Sequence, residues 1–360
     1  MLEGLRGVLA LSVAAHHACC WYYFAKTGNW STGRSVIFDR LADFGVIQFF
    51  YLSGFLFWRK LIRRGRVEAG RFYLSRFARI GPVYYVAIAA AILLGFLVAD
   101  TRLQAAPAGV LASLLPWLLF SLGGRPAVDN IDLARITCGV TWTLALEWLF
   151  YLSLPFLGWF SRRAWRLAVF AVAFGVLFLA GQHLRSATGD GQPLHEVGEW
   201  LAVYAKFMLI GFGGGMLVAA LEPRLSEWLR PLLRWRNWIV PALYIAYLTI
   251  PGIAAAGQVL LLAAFALVVE GADVFGFLVR RTTRFLGAIS YPVYLVHGMV
   301  YFTAMRVLCG GQTLSLLPYI GRAAICLATI LFAASVIHLL VERPTMKLSE
   351  RLTRGAIARP

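Results

Sequence analysis

Two side chains near the start of the chain, Arg6 and His17, have types and a spacing that suit chemistry. They are eleven residues apart, and the run from Val8 to Cys20 is otherwise nearly all apolar. At about 100° and 1.5 Å per residue, a helix places both on nearly the same face, about 16 Å apart. Ionisable residues inside a hydrophobic segment are costly and indicate function. The alternative is a helix-end arginine at the membrane surface, with His16 and His17 bonded to neighbouring helices.

The composition of the chain indicates the environment of this first helix. Of the 360 residues, 60% are hydrophobic and 14% are charged, whereas soluble domains carry about 25% charged residues. The net charge of +17 falls between long apolar blocks. This favours loops held on the cytoplasmic side of a membrane over a nucleic-acid partner. We therefore predict an all-α, polytopic helix bundle in a lipid bilayer.

Ten apolar blocks have about the length that a membrane-spanning helix needs. An eleventh block, about 108–122, decides the topology, because all arginine-rich connections share one side with the N-terminus only if this block does not span. We predict ten transmembrane helices, both termini cytoplasmic, and block 108–122 as an interfacial or re-entrant piece of an external segment, 100–142. Residues 1–345 then form one membrane domain, and 346–360 a short basic cytoplasmic tail. The ten blocks lie at about 5–24, 43–61, 80–99, 143–160, 165–181, 200–220, 237–250, 254–271, 285–307 and 319–341.

The first helix and the cysteines exclude two simpler interpretations. The helix holds Arg6 and His17 and ends without a small-residue cleavage site, so we do not expect a cleaved signal peptide. The five cysteines show no metal or disulfide spacing. We interpret them as small buried hydrophobic residues and predict no metal.

The topology also predicts the depth of three ionisable side chains, His17, Glu147 and His297. His17 and His297 lie about 18 Å above the cytoplasmic surface, and Glu147 lies about 7 Å below the external surface. In a hydrocarbon core of about 30 Å, all three fall in the outer half at similar depth, which predicts a single site. The alternatives are a Glu147 bonded to a tyrosine for packing and an interfacial His297 beside Tyr294.

The second loop carries two further arginines, Arg76 and Arg79, one turn apart on a helix that enters the membrane. Two guanidinium groups in this register suit phosphate binding, and Arg6 lies near the same cytoplasmic level. The alternative is a positive-inside anchor. Ser53 is interpreted as a small residue that permits close helix packing, since no G-x-S-x-G turn surrounds it.

Six motifs along the whole chain resemble, in the same order, those of the acyltransferase-3 family of membrane acyltransferases. Two positions depart from the common pattern: the acidic motif reads Trp-Thr-Leu-Ala-Leu-Glu instead of Trp-Ser-Leu-Ser-Val-Glu, and Val296 replaces a usual tryptophan. Neither departure removes a titratable group. The motifs are Leu2-Glu-Gly-Leu-Arg6-Gly with His17, Phe49-Phe-Tyr-Leu-Ser53-Gly-Phe, Arg71-Phe-Tyr with Arg76 and Arg79-Ile-Gly-Pro82, Trp142-Thr-Leu-Ala-Leu-Glu147-Trp-Leu-Phe-Tyr, Ile289-Ser-Tyr-Pro-Val-Tyr294-Leu-Val-His297 and Val341-Glu-Arg-Pro344.

The resemblance implies a ten-helix bundle that moves an acyl group, usually acetyl from acetyl-CoA, to a hydroxyl of a carbohydrate or glycolipid. It implies a bacterial cytoplasmic membrane and, for this chain, no fused esterase-like domain. We expect His17 to act as general base and Glu147 to orient it. The expected donor-binding residues are Arg6, Arg76 and Arg79, and the expected substrate-binding residues are Tyr294, His297 and Ser53.

The sequence leaves several points open. A transporter or flippase of a polysaccharide pathway, with no acyl transfer, is the alternative, because intramembrane charges also line substrate pathways. The identity of the acceptor, acetyl against another acyl group, and the oligomeric state are not specified by any residue pattern.

Overall fold

The computed structural model of the protein describes residues 1–65, 68–99, 106–122, 124–160, 164–308 and 315–355. These residues are mostly helical and contain no β-strand beyond one isolated bridge between Val128 and Ile131, which confirms the all-α prediction. Three π-helical segments, Phe207–Phe212, Thr303–Leu308 and His338–Glu342, continue α-helices. The α-helices are α1 Leu2–Thr27, α2 Val36–Arg64, α3 Ala69–Ala99, α4 Pro107–Leu118, α5 Leu133–Ile136, α6 Thr141–Phe160, α7 Ala164–Ala187, α8 Pro193–Lys206, α9 Gly213–Leu233, α10 Arg236–Thr249, α11 Ala254–Val269, α12 Arg281–Ala288, α13 Ser290–Phe302, α14 Leu316–Ile337 and α15 Arg343–Gly355.

Helix length and apolar composition identify the candidate membrane spans among the described residues. Five helical segments qualify, or six if α12 and α13, which meet at a bend of 70°, count as one span. The protein is therefore an integral membrane protein, while ten spans and cytoplasmic termini stay predictions. The five segments are Leu2–Thr27, Val36–Arg64, Ala69–Val98, Leu194–Leu233 and Leu316–Leu352.

The ambiguous block 108–122 contains the short helix α4. Its 12 residues extend about 18 Å, well below the roughly 30 Å of a hydrocarbon core. α4 is fastened to α3, because the Tyr84 hydroxyl donates a hydrogen bond to the Trp117 carbonyl at 2.8 Å. A helix of this length fits the predicted non-spanning piece. Residues 100–105 and 123 of the predicted external segment lie outside the described residues, as do residues 356–360 of the predicted tail.

The chain divides into two compact units. The first unit comprises Met1–Leu2, Asp43–Glu68 and Leu149–Arg280. Its packing depends on glycine: a side chain at Gly54 would collide with the backbone of Phe212, and one at Gly215 with the carbonyl of Tyr51. The Phe150 ring stacks on Phe212 with centroids 4.1 Å apart. Small residues at such contacts let membrane helices approach closely.

The second unit comprises Glu3–Ala42, Ala69–Trp148 and Arg281–Pro360. The corner where α12 meets α13 packs against two other helices of this unit. A Cβ at Gly7 of α1 would lie 2.8 Å from the Gly287 nitrogen, and the Tyr291 hydroxyl donates a hydrogen bond to the Ile80 carbonyl of α3 at 2.9 Å. The corner thus fixes α1 near its start and α3 at Ile80 relative to α13.

Candidate active site

Two histidines from opposite ends of the sequence meet in the second unit. His17 comes from α1 and His297 from α13, and their exposed fractions are 8% and 0%. His297 Nε2 and His17 Nδ1 lie 2.9 Å apart, within hydrogen-bonding distance. The structure therefore brings together two of the three ionisable side chains whose similar depth predicted a single site.

The hydrogen bonds of His297 fix the position of each proton in the neutral pair. His297 Nδ1 lies 3.1 Å from the Val293 carbonyl oxygen, which can only accept, so Nδ1 carries the proton. His297 Nε2 is then an acceptor, and His17 Nδ1 must donate to it. His17 Nε2 is consequently left without a proton. This is the tautomer that a general base needs.

A tight turn places Cys138 beside the two imidazoles. Cys138 has a φ angle of 52° and Gly139 one of 69°. A positive φ angle is unusual for a residue with a side chain, such as Cys138. A Cβ at Gly298 would lie 2.8 Å from the Cys138 nitrogen, so only glycine lets the turn approach α13 next to His297. The Trp21 indole donates a hydrogen bond to Cys138 Sγ at 3.3 Å.

His17, Cys138 and His297 offer three metal-ligating atoms that lie within 4.8 Å of one another. A tetrahedral zinc site uses such nitrogen and sulfur ligands. However, a metal ion would have to replace the proton shared between the facing imidazole nitrogens, which are already 2.9 Å apart. The geometry therefore suits a hydrogen-bonded pair better than a metal centre, and the absence of a metal stays a prediction.

The start of α6 contacts α13 one turn before His297. The hydroxyls of Thr143 and Tyr294 are 2.8 Å apart, and both also lie within hydrogen-bonding distance of the Val140 carbonyl, at 2.9 Å and 3.4 Å. Glu147 is half-buried and lies close enough to Tyr294 to interact with it electrostatically. Glu147 thus belongs to the same region, while its predicted role as the group that orients His17 stays a prediction.

The three arginines predicted to bind the donor lie on segments that the α12–α13 corner joins. The corner contacts α1 one residue after Arg6 and α3 one residue after Arg79. All three arginines are half-buried. Arg76 and Arg79 both lie on α3, one turn apart, as the sequence predicts. Their role in donor binding stays a prediction.

Ser53 is the one predicted site residue that belongs to the first unit. It precedes Gly54, whose backbone meets Phe212, and it is half-buried. These contacts agree with the interpretation of Ser53 as a small residue that permits close helix packing. The structure thus gathers the other predicted residues in the second unit and leaves Ser53 among helix contacts of the first.

Sequence reasoning missed Cys138 and its neighbour Trp21. The cysteines were interpreted as small buried hydrophobic residues, and Cys138 is indeed buried, with 8% of its surface exposed. Its placement beside the histidines depends on a positive φ angle and on contact with Gly298, 160 positions later. The pair Cys138-Gly139, just before the motif at Trp142, was the only local signal of a tight turn.

Comparisons with known proteins identify the family of the chain. The family profile described as an acyltransferase domain, of the acyltransferase-3 type, matches residues 2–338. The chain is 29% identical to "Acyltransferase MdmB" of Streptomyces mycarofaciens, over 97% of this chain and 92% of that protein. It is 27% identical to "Nodulation protein 10" of Rhizobium leguminosarum bv. viciae, over 97% and 93%. No solved structure matches the chain. The chain therefore belongs to the acyltransferase-3 family and is a membrane-bound, acyl-transferring enzyme.

Proposed function

We propose that this enzyme transfers an acyl group, acetyl in the simplest case, from acyl-CoA to a hydroxyl of a carbohydrate or glycolipid acceptor, with His17 as general base. The observation that carries the proposal is the hydrogen bond from His17 Nδ1 to His297 Nε2, 2.9 Å long and buried. It leaves His17 Nε2 as the basic nitrogen, and a base held by a second group is the usual arrangement for activating a hydroxyl.

The reaction balances with His17 as the only proton carrier. His17 Nε2 takes the proton of the acceptor hydroxyl as its oxygen attacks the thioester carbonyl. When the tetrahedral intermediate collapses, the carbon–sulfur bond breaks and the imidazolium returns its proton to the leaving thiolate. The products are an ester and free CoA. His297 accepts from His17 Nδ1 throughout and stabilises the imidazolium form, as the third member of a triad does.

The donor would bind through its phosphates at the arginine end of the second unit. Arg6, Arg76 and Arg79 lie on segments that the α12–α13 corner joins, and guanidinium groups pair well with phosphate. The extended pantetheine arm is comparable to the roughly 16 Å that α1 covers between Arg6 and His17. A donor held at this end thus presents its thioester to the imidazole.

Glu147 and Tyr294 would act on the acceptor side of the pair. The Tyr294 hydroxyl is hydrogen bonded to Thr143 and lies near the Val140 carbonyl, which fixes the phenol ring one turn before His297. Glu147 lies near that phenol, and a carboxylate there supplies an acceptor for further hydroxyls of a carbohydrate. This proposal makes Glu147 a binding residue and His297 the group that orients His17.

We also propose that the enzyme lies in the bacterial cytoplasmic membrane. The two relatives come from bacteria, and the basic connections favour insertion in the cytoplasmic membrane with those segments inside. A transporter without acyl transfer does not fit a chain of this family.

Transfer is tested with the full-length protein in nanodiscs. Acetyl-CoA is supplied with extracted surface glycan, CoA release is followed with a thiol reagent, and new O-acetyl groups are identified by NMR. We expect acetyl groups on the glycan in amounts matching the released CoA. CoA release without glycan esters would overturn the carbohydrate acceptor, and no CoA release with any acyl-CoA would overturn the donor.

A further inference from the structure

An aromatic surface adjoins His17 at the end of α1 opposite to Arg6. Trp30 lies in the connection between α1 and α2, and its ring centroid is 6.3 Å from that of His17. The Trp30 ring packs edge-on against Trp21 at 5.2 Å and against Phe24 at 5.9 Å. Although it makes these contacts, 41% of the Trp30 side chain is exposed. A large exposed aromatic ring directly beside a buried imidazole indicates a surface on which a ligand could bind.

The connection that carries Trp30 is held in one conformation by hydrogen bonds. The Asn29 amide donates to the Thr27 hydroxyl at 3.2 Å. Thr32 is buried, with 4% exposed, and its hydroxyl donates to Asp39 at 3.4 Å. Gly33 has a φ angle of +68°, and the ring of Tyr23 occupies the space that a side chain would need. Trp30 is therefore presented by a short segment fixed on both sides, which lowers the entropy cost of binding a ligand on it.

Polar groups border the aromatic surface. The Arg135 guanidinium lies over the Phe24 ring, 4.8 Å from its centroid, and pairs with Asp132 at 3.3 Å. Both side chains remain about half exposed, at 46% and 54%. An aromatic face with an exposed donor and acceptor at its edge matches a ligand that has an apolar face and hydroxyls around its rim.

We propose that Trp30 stacks against the pyranose ring of the acceptor and thereby determines that the enzyme acylates ring sugars. Axial C–H bonds give a pyranose an apolar face that fits an indole, and its equatorial hydroxyls project towards the rim. With the ring on Trp30, one hydroxyl points towards His17 and others towards Arg135 and Asp132. This inference rests on the proposed function, because it takes His17 as the base. Trp30 is on this basis an acceptor-binding residue.

Two probes separate stacking from general hydroxyl binding. Methyl glucopyranoside offers an apolar ring face, and sorbitol offers similar hydroxyls on an open chain. Binding to the full-length protein in nanodiscs is measured by saturation-transfer NMR. The KM values for each probe and for acetyl-CoA are measured by CoA release. We expect the wild-type protein to prefer the pyranoside.

Substitutions at Trp30 then test the aromatic face. We expect Trp30→Leu to raise the KM for the pyranoside about tenfold, since an aromatic contact of about 1.4 kcal/mol corresponds to that factor, with the KM for acetyl-CoA unchanged. Trp30→Phe is expected to keep most of the affinity, because it keeps a ring. Trp238→Ala, which removes a tryptophan 65% exposed in the first unit, is the control and is expected to change neither KM.

The outcomes distinguish this inference from the proposed function. Equal affinity of the wild-type protein for both probes, or an unchanged KM in Trp30→Leu, would overturn the stacking role. A membrane-anchoring role of Trp30 would instead lower the thermal stability of Trp30→Leu without changing the KM for the pyranoside. If His17→Ala kept full transfer while the pyranoside preference persisted, the base assignment would fail and the aromatic binding surface would stand.

Discussion

The interior of the first unit is filled by rings and close glycine contacts, whereas the second unit also buries two hydrogen-bonded imidazoles. In the first unit, Gly54 and Gly215 let helices meet backbone to backbone, and the buried Gln48 amide donates to the Leu261 carbonyl at 3.3 Å. In the second unit, His17 and His297 are buried as well. Burying titratable groups in a membrane protein is costly. Under the proposed function, the chemistry therefore lies in the second unit.

The largest effect is expected from His17→Ala. Removing a general base costs about a thousandfold in kcat, within the range of such catalysis, while insertion in the membrane is retained. The measurement is CoA release in nanodiscs at saturating donor and acceptor.

His16→Ala is the matched control for that substitution. His16 is the adjacent imidazole: its ring packs edge-on against His17 with centroids 4.9 Å apart, but its Nδ1 is hydrogen bonded to the Phe38 carbonyl at 2.8 Å and takes no part in the bond between His17 and His297. We expect little change in kcat. An equal loss in both variants would mean that the first helix, and not one imidazole, is required.

His297→Ala is expected to lower kcat by about a hundredfold, because His17 loses the group that fixes its tautomer. The KM for acetyl-CoA should change little. His297→Gln should recover part of the rate, since an amide can accept from His17 and donate to the Val293 carbonyl. A raised acceptor KM with an unchanged kcat would return His297 to the substrate-binding role that the sequence predicts.

Arg76→Ala is expected to raise the KM for acetyl-CoA about tenfold, the factor that corresponds to about 1.4 kcal/mol from a charged hydrogen bond. The kcat should be largely preserved, because in the proposed binding mode Arg76 contacts the phosphates of the donor and not its thioester. Arg71→Ala, an exposed arginine of the same helix, is the control. Equal KM values in both variants and the wild type would support the anchor interpretation.

Ser53→Ala is expected to change kcat and both KM values by less than about twofold, since small residues exchange readily at helix contacts. A large rise in the acceptor KM would contradict the assignment of Ser53 to packing and would give the first unit a part in substrate binding.

A chelator is expected to have no effect on CoA release, because the facing nitrogens of His17 and His297 already share a proton at 2.9 Å. The measurement compares protein dialysed against EDTA with untreated protein, together with its metal content. A loss restored by zinc would replace the imidazole pair by a metal centre with Cys138 as third ligand.

The sequence predicts the helices well, because they follow from the length of the apolar blocks. It also predicts which residues share a helix face, because each residue adds a fixed rotation. The spacing of Arg76 and Arg79 on α3 is an example. The meeting of His17 and His297 followed from topology and helical rise, although their direct bond did not. Block length alone leaves the number of spans a prediction, because α10 and α11 have 14 and 16 residues, about 21 and 24 Å.

The placement of the Cys138 turn beside the histidines was beyond sequence reasoning for a physical reason. The turn contacts Gly298 and Trp21, which are distant in the sequence. Such contacts cannot be inferred from the conformational preferences of Cys138 and Gly139 themselves. Trp30 was missed in the same way. An exposed tryptophan in a loop gains meaning only when the ring beside it is known to be His17.

The hydrogen bond between the two imidazoles joins residues 280 positions apart, and this has a consequence for biosynthesis. At about 5–20 residues per second, roughly 14–56 s of translation separate the appearance of His17 from that of His297. α1 is synthesised first, and its His17 has no His297 to pair with until α13 has been synthesised. Under the proposed function, a chain that ends before α13 would hold His17 without the group that fixes its tautomer.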